Sequence, residues 1–262
     1  MTDNASTSNK LKGKVAIVSA AAGAGIGQAV AARFGHEGAT VVITDSHERR
    51  VGEAAARLSR DLGREVQAFK VDVRENADIV KCVEATMMAH GKIDILFNNA
   101  GINKIGPFWE LSDEEWQKIL DVNLSGTFRF SRAVAPHMID RKSGVIINVS
   151  SIAGWMSNVG RGGQAAYAAV KAGVMGFTRA TATDLGPYGI RVNAIAPGLV
   201  YNEFLEKLHD KPWFEEKRKE TVLGRMGKVE DITAAAVYLA SDDSSFITGE
   251  VLNVSGGWYM HA

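Results

Sequence analysis

At 262 residues, 46% of them hydrophobic and 23% charged, the chain has the make-up of a globular protein able to bury one large core. Thirty basic and thirty acidic residues cancel, which excludes the strong field that selects nucleic acid or an anionic membrane and leaves a small molecule as the expected partner. One cysteine, Cys82, excludes an internal disulfide framework and suits a reducing, cytoplasmic compartment; no apolar run approaches the ~20 residues of a membrane span, and six histidines without ligand-type spacing give no expectation of a metal.

Residues 1–10, MTDNASTSNK, are polar and lack the apolar segment of a signal peptide, so a disordered tail is expected, followed by one domain over 11–262. Lys14 to Ser19 is a β-branched run that stops in AAAGAGIG and continues with Ile26, Val30 and Phe34 at helical spacing, the pattern of strand, tight glycine turn and helix. Gly23, Gly25 and Gly27 let the backbone approach a phosphate, and the helix N-terminus offers N–H groups and the positive end of its dipole; plain helix–strand packing uses the same glycines. Thr40 to Thr44 is a second buried strand ending in Asp45, about twenty residues past the turn, where a carboxylate can accept hydrogen bonds from an adenosine ribose and repel a 2′-phosphate. His47, Arg49 and Arg50 are expected to face solvent at the start of the next helix.

That helix runs through Leu62, a strand from Val66 to Val71 leads into Asp72-Val73, Asn76 to His90 is helical, and Ile93 to Phe97 is a strand. Strands alternating with helices at this spacing predict right-handed βαβ units: an α/β, single-domain, doubly wound parallel sheet with helices on both faces. At the end of the fourth strand, Asn98-Asn99-Ala100-Gly101 can tie strand ends together and leave room for a ligand, or form a simple Asn-rich turn. Ser112 and Glu115 form a capping box opening a long helix, inside which Asn123 is a poor helix former with either a polar task or a plain exposed position.

Val145 to Val149 reads as a buried strand delivering Ser150 and Ser151, hydroxyls that can hold a substrate oxygen. Tyr167-x-x-x-Lys171 then places a phenol and a cation one helical turn apart on one face, a spacing that an ordinary surface Tyr–Lys pair also has. A phenol titrates near ~10 and needs acidifying by roughly two to three units, ~3–4 kcal/mol, to act near neutrality, and a neighbouring cation favours the phenolate. Ile190 to Ala196 is strand-like and stops at Pro197-Gly198; Leu199 to Leu223, rich in aromatic and charged residues, is a helical excursion that serves as a lid or as an interface helix. Val229 to Ala240 is a helix, Glu250 to Val254 a strand, and Ser255 to Ala262 a glycine–aromatic tail.

The glycine turn, Asp45, Asp72-Val73, Asn98 to Gly101, Asn123, the Ser151/Tyr167/Lys171 set and Pro197-Gly198 together resemble the short-chain dehydrogenase/reductase family over the whole chain after the tail. GGQAAYAAVKAGVMGFTRA and SSFITGEVLNVSGGWYM are most similar to bacterial 3-oxoacyl-thioester reductases, while SAAAGAGIG and DSHERRVGE resemble actinobacterial members acting on steroid-derived or acyl-CoA alcohols. The resemblance implies NAD, rather than NADP, along the C-terminal edge of the sheet, held by Ser19, Gly23, Gly25, Ile26 and Gly27, by Asp45 at the ribose, by Asp72 and Val73 at the adenine, by Asn99, Ala100 and Gly101, and by Pro197, Gly198 and Val200. It further implies that Tyr167 transfers the proton, Ser151 holds the substrate oxygen, Lys171 binds the nicotinamide ribose and acidifies Tyr167, and Asn123 positions a water in the proton relay.

A homotetramer follows from the same resemblance, with the helices of Asn123 and Tyr167 pairing between subunits. Three departures stand out: a glycine turn one residue longer than usual with Ser19 and alanines at its start, about three extra residues between Ser151 and Tyr167 that bring Trp155, Met156 or Arg161 towards the pocket, and Asn202 near where a threonine is usual. The expected activity is NAD-dependent interconversion of a secondary alcohol and a ketone, run as an oxidation. The alternatives are an NADPH-dependent 3-oxoacyl-thioester reductase and, from another class, a catalytically silent nucleotide-binding partner subunit.

Overall fold

A computed structural model describes residues 9–156, 163–201, 205–206 and 210–260 of the chain. The expected tail falls mostly outside these residues, and so do Arg161, Asn202 and Phe204. Lys10, the last residue of the expected tail, is anchored by an ion pair to Asp243, and Leu11, the first of the domain, is fully buried.

Strands β1 (Val15–Val18), β2 (Thr40–Asp45), β3 (Gln67–Lys70), β4 (Ile95–Asn98), β5 (Gly144–Val149), β6 (Ile190–Pro197) and β7 (Val251–Val254) form one seven-stranded sheet in the order β3-β2-β1-β4-β5-β6-β7. All neighbours pair in parallel. Period-2 alternation divides the apolar strand residues between two cores. Val18, Ile43, Phe97, Ile147 and Ile195 face helices α1 (Ile26–His36), α2 (Glu48–Leu62) and α8 (Val229–Ala240), where Val30, Phe34, Val51, Leu58, Ile232 and Ala236 meet them. Ile17, Val42, Leu96, Ile146 and Val192 face α3 (Asn76–His90), α5 (Gly126–Arg141) and α6 (Ala165–Leu185), through Ile79, Val83, Phe130, Val134, Ala182 and Leu185. This is the doubly wound sheet expected from the alternation of elements, with strand ends displaced by one or two residues.

The order reverses between β1 and β4, because the chain leaves β1 towards β2 and β3 and then returns to the other side. Parallel neighbours whose crossovers run in opposite directions open a crevice at their C-terminal ends, the ligand position of doubly wound sheets. The glycine turn follows β1 and the Asn99–Gly101 segment follows β4, so the topology brings the two motifs to one crevice. The capping box is present: Ser112 Oγ accepts from Glu115 N at 3.2 Å and Glu115 Oε2 accepts from Ser112 N at 3.3 Å, starting α4 (Asp113–Leu120). Within the expected 199–223 excursion, α7 (Lys211–Lys219) is capped by the Asp210 carboxylate accepting from Trp213 N at 3.1 Å.

The unusual start of the glycine turn has a backbone consequence. Ala20 stands at φ +52°, in the left-handed region that costs a residue with a Cβ roughly 1–2 kcal/mol. Ala20→Gly should therefore stabilise the protein by about 0.5–1 kcal/mol after the extra chain entropy of glycine is subtracted, measured as a higher urea midpoint at unchanged slope.

Candidate active site

The turn is held from below by β4. Ser19 Oγ accepts from Asn99 N at 2.9 Å and Ala100 N at 3.2 Å, and Asn99 Nδ2 donates to Ser19 O at 3.2 Å and Ala20 O at 3.1 Å. Gly27 lies so close beneath that a Cβ would come within 2.5 Å of Ala20 O and 2.6 Å of Asn99 Nδ2, whereas Gly23 and Gly25 face open space. Helix α1 begins at Ile26 with no side-chain cap, so its first N–H groups are directed at that space. An open glycine backbone in front of an uncapped helix N-terminus fits the pyrophosphate of a dinucleotide.

Asp45 closes β2 at the rim of the crevice. Its oxygens accept from Ala22 N at 3.4 Å and His47 N at 3.1 Å, and Arg50 Nη2 lies 3.6 Å away. Burial raises its carboxyl above the ordinary value, against the lowering by the Ala22 N–H and Arg50. His47, Arg49 and Arg50 are exposed at the start of α2, as expected; Arg50 also lies near Asp45, while Arg49 pairs with Glu53 at 2.9 Å. The Asp72 carboxylate is gripped by the Arg74 guanidinium, with Nη2 at 2.6 Å and Nε at 3.0 Å, which holds it below the usual range. Val73 is buried against α5, where a Cβ at Gly126 would meet its Cγ2 at 2.8 Å.

Across the crevice, an amide ladder crosses the sheet interior. Asn98 Nδ2 donates to Asn148 Oδ1 at 2.9 Å and Ser131 Oγ at 3.0 Å, and Asn148 Nδ2 donates to Thr178 Oγ1 at 3.0 Å. The ladder locks β4 and β5 to α5 and α6, so the strand end carrying Ser151 and the helix carrying Tyr167 share one frame. The two serines separate here. Ser150 is buried and donates to Lys171 O at 2.8 Å, a structural task, while the Ser151 hydroxyl hydrogen-bonds the Tyr167 phenol and accepts from Ala153 N at 3.1 Å. The turn after Ser151 is pressed onto α6: a Cβ at Gly154 would lie 2.8 Å from Ala172 N. Trp155 then stacks on Tyr259, ring centroids 5.1 Å apart and planes at 17°.

Lys171 is buried, its Nζ donating to Val149 O at 2.9 Å and standing 5.4 Å from the Tyr167 ring centre. Loss of water pulls its ammonium down to about 8. The expectation that Lys171 sets the acidity of the phenol meets a stronger effect: burial raises Tyr167 above its ordinary value, and the lowering comes from the Ser151 hydrogen bond. Asn123 lies in a π-helical turn, Asp121–Ser125, inserted between α4 and α5. One extra residue in the turn frees carbonyls from the helical ladder, and Asn123 Nδ2 takes up Ile119 O at 2.8 Å together with Ile102 O at 2.9 Å. Its Oδ1 is buried with no hydrogen-bond partner. A Cβ placed on Gly101 would lie 2.8 Å from that oxygen and 3.3 Å from Lys171 Nζ, so glycine keeps the space between them open. Pro197 ends β6, Gly198 N donates to Val254 O at 3.0 Å, and Val200 pairs with Gly227 in a parallel bridge. Among the described residues no group of His, Cys, Asp and Glu is arranged to hold a metal ion, and no helix is long and apolar enough to cross a membrane.

The sequence gives no sign of the Val149 carbonyl anchor, the Gly154 contact or the Trp155–Tyr259 stack, since each joins residues distant in the chain or uses a main-chain atom. The buried ammonium has a measurable signature. Its folded pKa lies below the unfolded value, so between pH ~8 and ~10.4 the unfolded chain binds the extra proton and stability rises with pH. From pH 8 to 9, wild type should gain about 1 kcal/mol of unfolding free energy that Lys171→Met does not, measured by urea titration.

Comparison with known proteins agrees with this geometry. A family profile described as enoyl-(acyl carrier protein) reductase matches residues 20–259. The chain is 42% identical over 247 residues to a (5R,7aS)-5-hydroxy-7a-methyl-1-oxo-2,3,5,6,7,7a-hexahydro-1H-indene-carboxyl-CoA reductase of Mycobacterium tuberculosis, covering 94% of this chain and 93% of that one. It is 38% identical over 253 residues to the 3-oxoacyl-(acyl-carrier-protein) reductase FabG of Thermotoga maritima, covering 95% and 98%. Among solved structures, that of gox2181 superposes with a TM-score of 0.90 at 33% identity, covering 96% of this chain and 98% of the other. With the dinucleotide crevice, the Ser–Tyr–Lys–Asn cluster and these relatives in agreement, the chain belongs to the short-chain dehydrogenase/reductase family, NAD(P)-dependent oxidoreductases acting on CH–OH groups, and interconverts a secondary alcohol and a ketone.

Proposed function

We propose that this enzyme uses NAD and acts on an alcohol or ketone carried by a bulky acyl thioester. The observation that carries the choice of NAD is Asp45, a carboxylate at the end of β2 facing the crevice, whose charge opposes a 2′-phosphate and whose oxygens can accept from ribose hydroxyls. Support for the thioester comes from the relatives, one named for a fused-ring acyl-CoA and one for an acyl carrier protein. The bound dinucleotide supplies hydride exchange with the substrate carbon. Ser19, Gly23, Gly25, Ile26, Gly27, Asp45, Asp72, Val73, Asn99 to Gly101, Pro197, Gly198 and Val200 would hold it.

The chain's own groups handle the proton. Tyr167 gives or takes it at the substrate oxygen, and Ser151, already bonded to the phenol, holds that oxygen in reach. Lys171 spends one of its three donors on Val149 O and keeps the others for the ribose and the phenolate. The orphaned Asn123 Oδ1 accepts from a water that passes the proton onward, through the space left by Gly101. A cytoplasmic homotetramer belongs to the same reading; for the subunit contact, Phe128 on α5 is half exposed and packs edge-on against Phe177 of α6 at 6.3 Å, an apolar surface on the two helices expected to pair. A second reading, an NADPH-dependent 3-oxoacyl-thioester reductase, is favoured by one observation: Arg50, 3.6 Å from Asp45, is a cation within reach of a 2′-phosphate.

Two substitutions test this. Tyr167→Phe should leave NAD affinity within about twofold and lower kcat by ~10³-fold or more, followed by NADH absorbance; surviving turnover would reject the proton route. Asp45→Ala should raise the NADP/NAD ratio of kcat/KM by ~10-fold or more, and an unchanged ratio would remove the argument for NAD.

A further inference from the structure

The loop that leaves Gly101 is pinned at both ends of a short span. Ile102 O accepts from Asn123 Nδ2 at 2.9 Å, and Gly106 N donates to Gly163 O at 3.0 Å. Gly163, at φ +76°, sits so close that a Cβ would lie 2.9 Å from Gly106 O, and Asn103 Nδ2 reaches Oε1 of Gln164, the residue preceding α6, at 3.5 Å. Between and beyond these pins the loop holds Ile105, Phe108 and Trp109 at 70%, 68% and 73% exposure around an open cavity of about 440 Å³, bordered on the other side by Gly163 and Ala165. Phe108 and Trp109 meet edge to face at 5.3 Å. A fastened loop that keeps three large apolar side chains in water, facing Ala165, two residues before Tyr167 on α6, is built to cover something apolar. The volume lies within the ~300–1,000 Å³ range of ligand pockets, and no charged residue is among the described ones lining it.

We infer that this cavity receives the fused-ring hydrocarbon part of the substrate, away from the reacting carbon, with Phe108 and Trp109 as its walls. Two edge-to-face aromatic walls suit a broad, rigid ring system better than a thin alkyl chain, and Ala165 at the border of the cavity opens the helix that carries Tyr167. The inference deepens the proposed acyl-thioester reading and rests on it.

The test uses the full-length enzyme, 2-decalone as a fused-ring ketone and 3-oxobutanoyl-CoA as a small thioester, with wild type and the double variant Phe108→Ala/Trp109→Ala. Both side chains are exposed, so the variant should fold, checked by its melting temperature and sedimentation. Expected are a ~10–100-fold rise in KM for 2-decalone with kcat within about twofold, unchanged kinetics on 3-oxobutanoyl-CoA, and a matching loss of 2-decalone binding by calorimetry. Equal binding of 2-decalone by both proteins, no binding by wild type, or an equal loss on both substrates would overturn the inference. Dissociation of the variant into smaller oligomers would also overturn it, by assigning the patch to a second copy of the chain. Wild type that turns over neither compound yet binds 2-decalone, with binding lost in the variant, would uphold the cavity while rejecting the thioester reading.

Discussion

A buried ammonium group organises this site. Removing Lys171 from water is costly unless its donors are met, and one of them is met by the carbonyl of Val149 at the end of β5. That requirement fixes the distance between β5 and α6, which Ser150 reinforces from the other side by bonding Lys171 O, and which the Asn98–Asn148–Thr178 ladder repeats one layer deeper. Ser151 and Tyr167 sit at the ends of the two elements so joined. Their hydroxyls meet because the cation between them leaves the strand and the helix little freedom.

Burial that fixes the geometry also sets the chemistry. The same loss of solvent lowers the pKa of Lys171 and raises that of the Tyr167 phenol, so each group is brought closer to its uncharged form. The polar atoms that offset this are few and specific: the Ser151 hydroxyl on the phenol and the Val149 carbonyl on the ammonium. An enzyme arranged in this way holds proton donors and acceptors in a dry place, where a small change in local charge has a large effect on which form is present.

Much of this was legible in the sequence, for reasons that are local. The β-branched runs, the turn glycines and the Ser112–Glu115 capping box each act over a few residues, so the strands and helices follow from them, whereas the reversal of strand order between β1 and β4 is a tertiary feature. Tyr167 and Lys171 could be paired because a helix places four-residue neighbours on one face, and Asn123 drew notice as an amide inside a helix. What was not legible depends on distance or on burial. The division of labour between Ser150 and Ser151 and the stacking of Trp155 on Tyr259 are decided by tertiary neighbours. The direction of the Tyr167 shift was missed because sequence reveals the nearby cation but not the solvent withheld from both groups.

The π-turn at Asp121–Ser125 has a consequence for the shape of the whole helix from Asp113 to Arg141. An added residue advances the angular phase of everything downstream by roughly 100°. Before the turn, Ile119 packs with Ala166 and Val170 of α6; after it, Phe130, Val134 and Met138 pack on the sheet. A single rod thus presents its apolar stripe to two surfaces in succession, and the residue at the slip between them is the asparagine of the site. Deleting one residue there would do more than remove an amide, because it would rotate one half of the helix away from the surface it was made to meet.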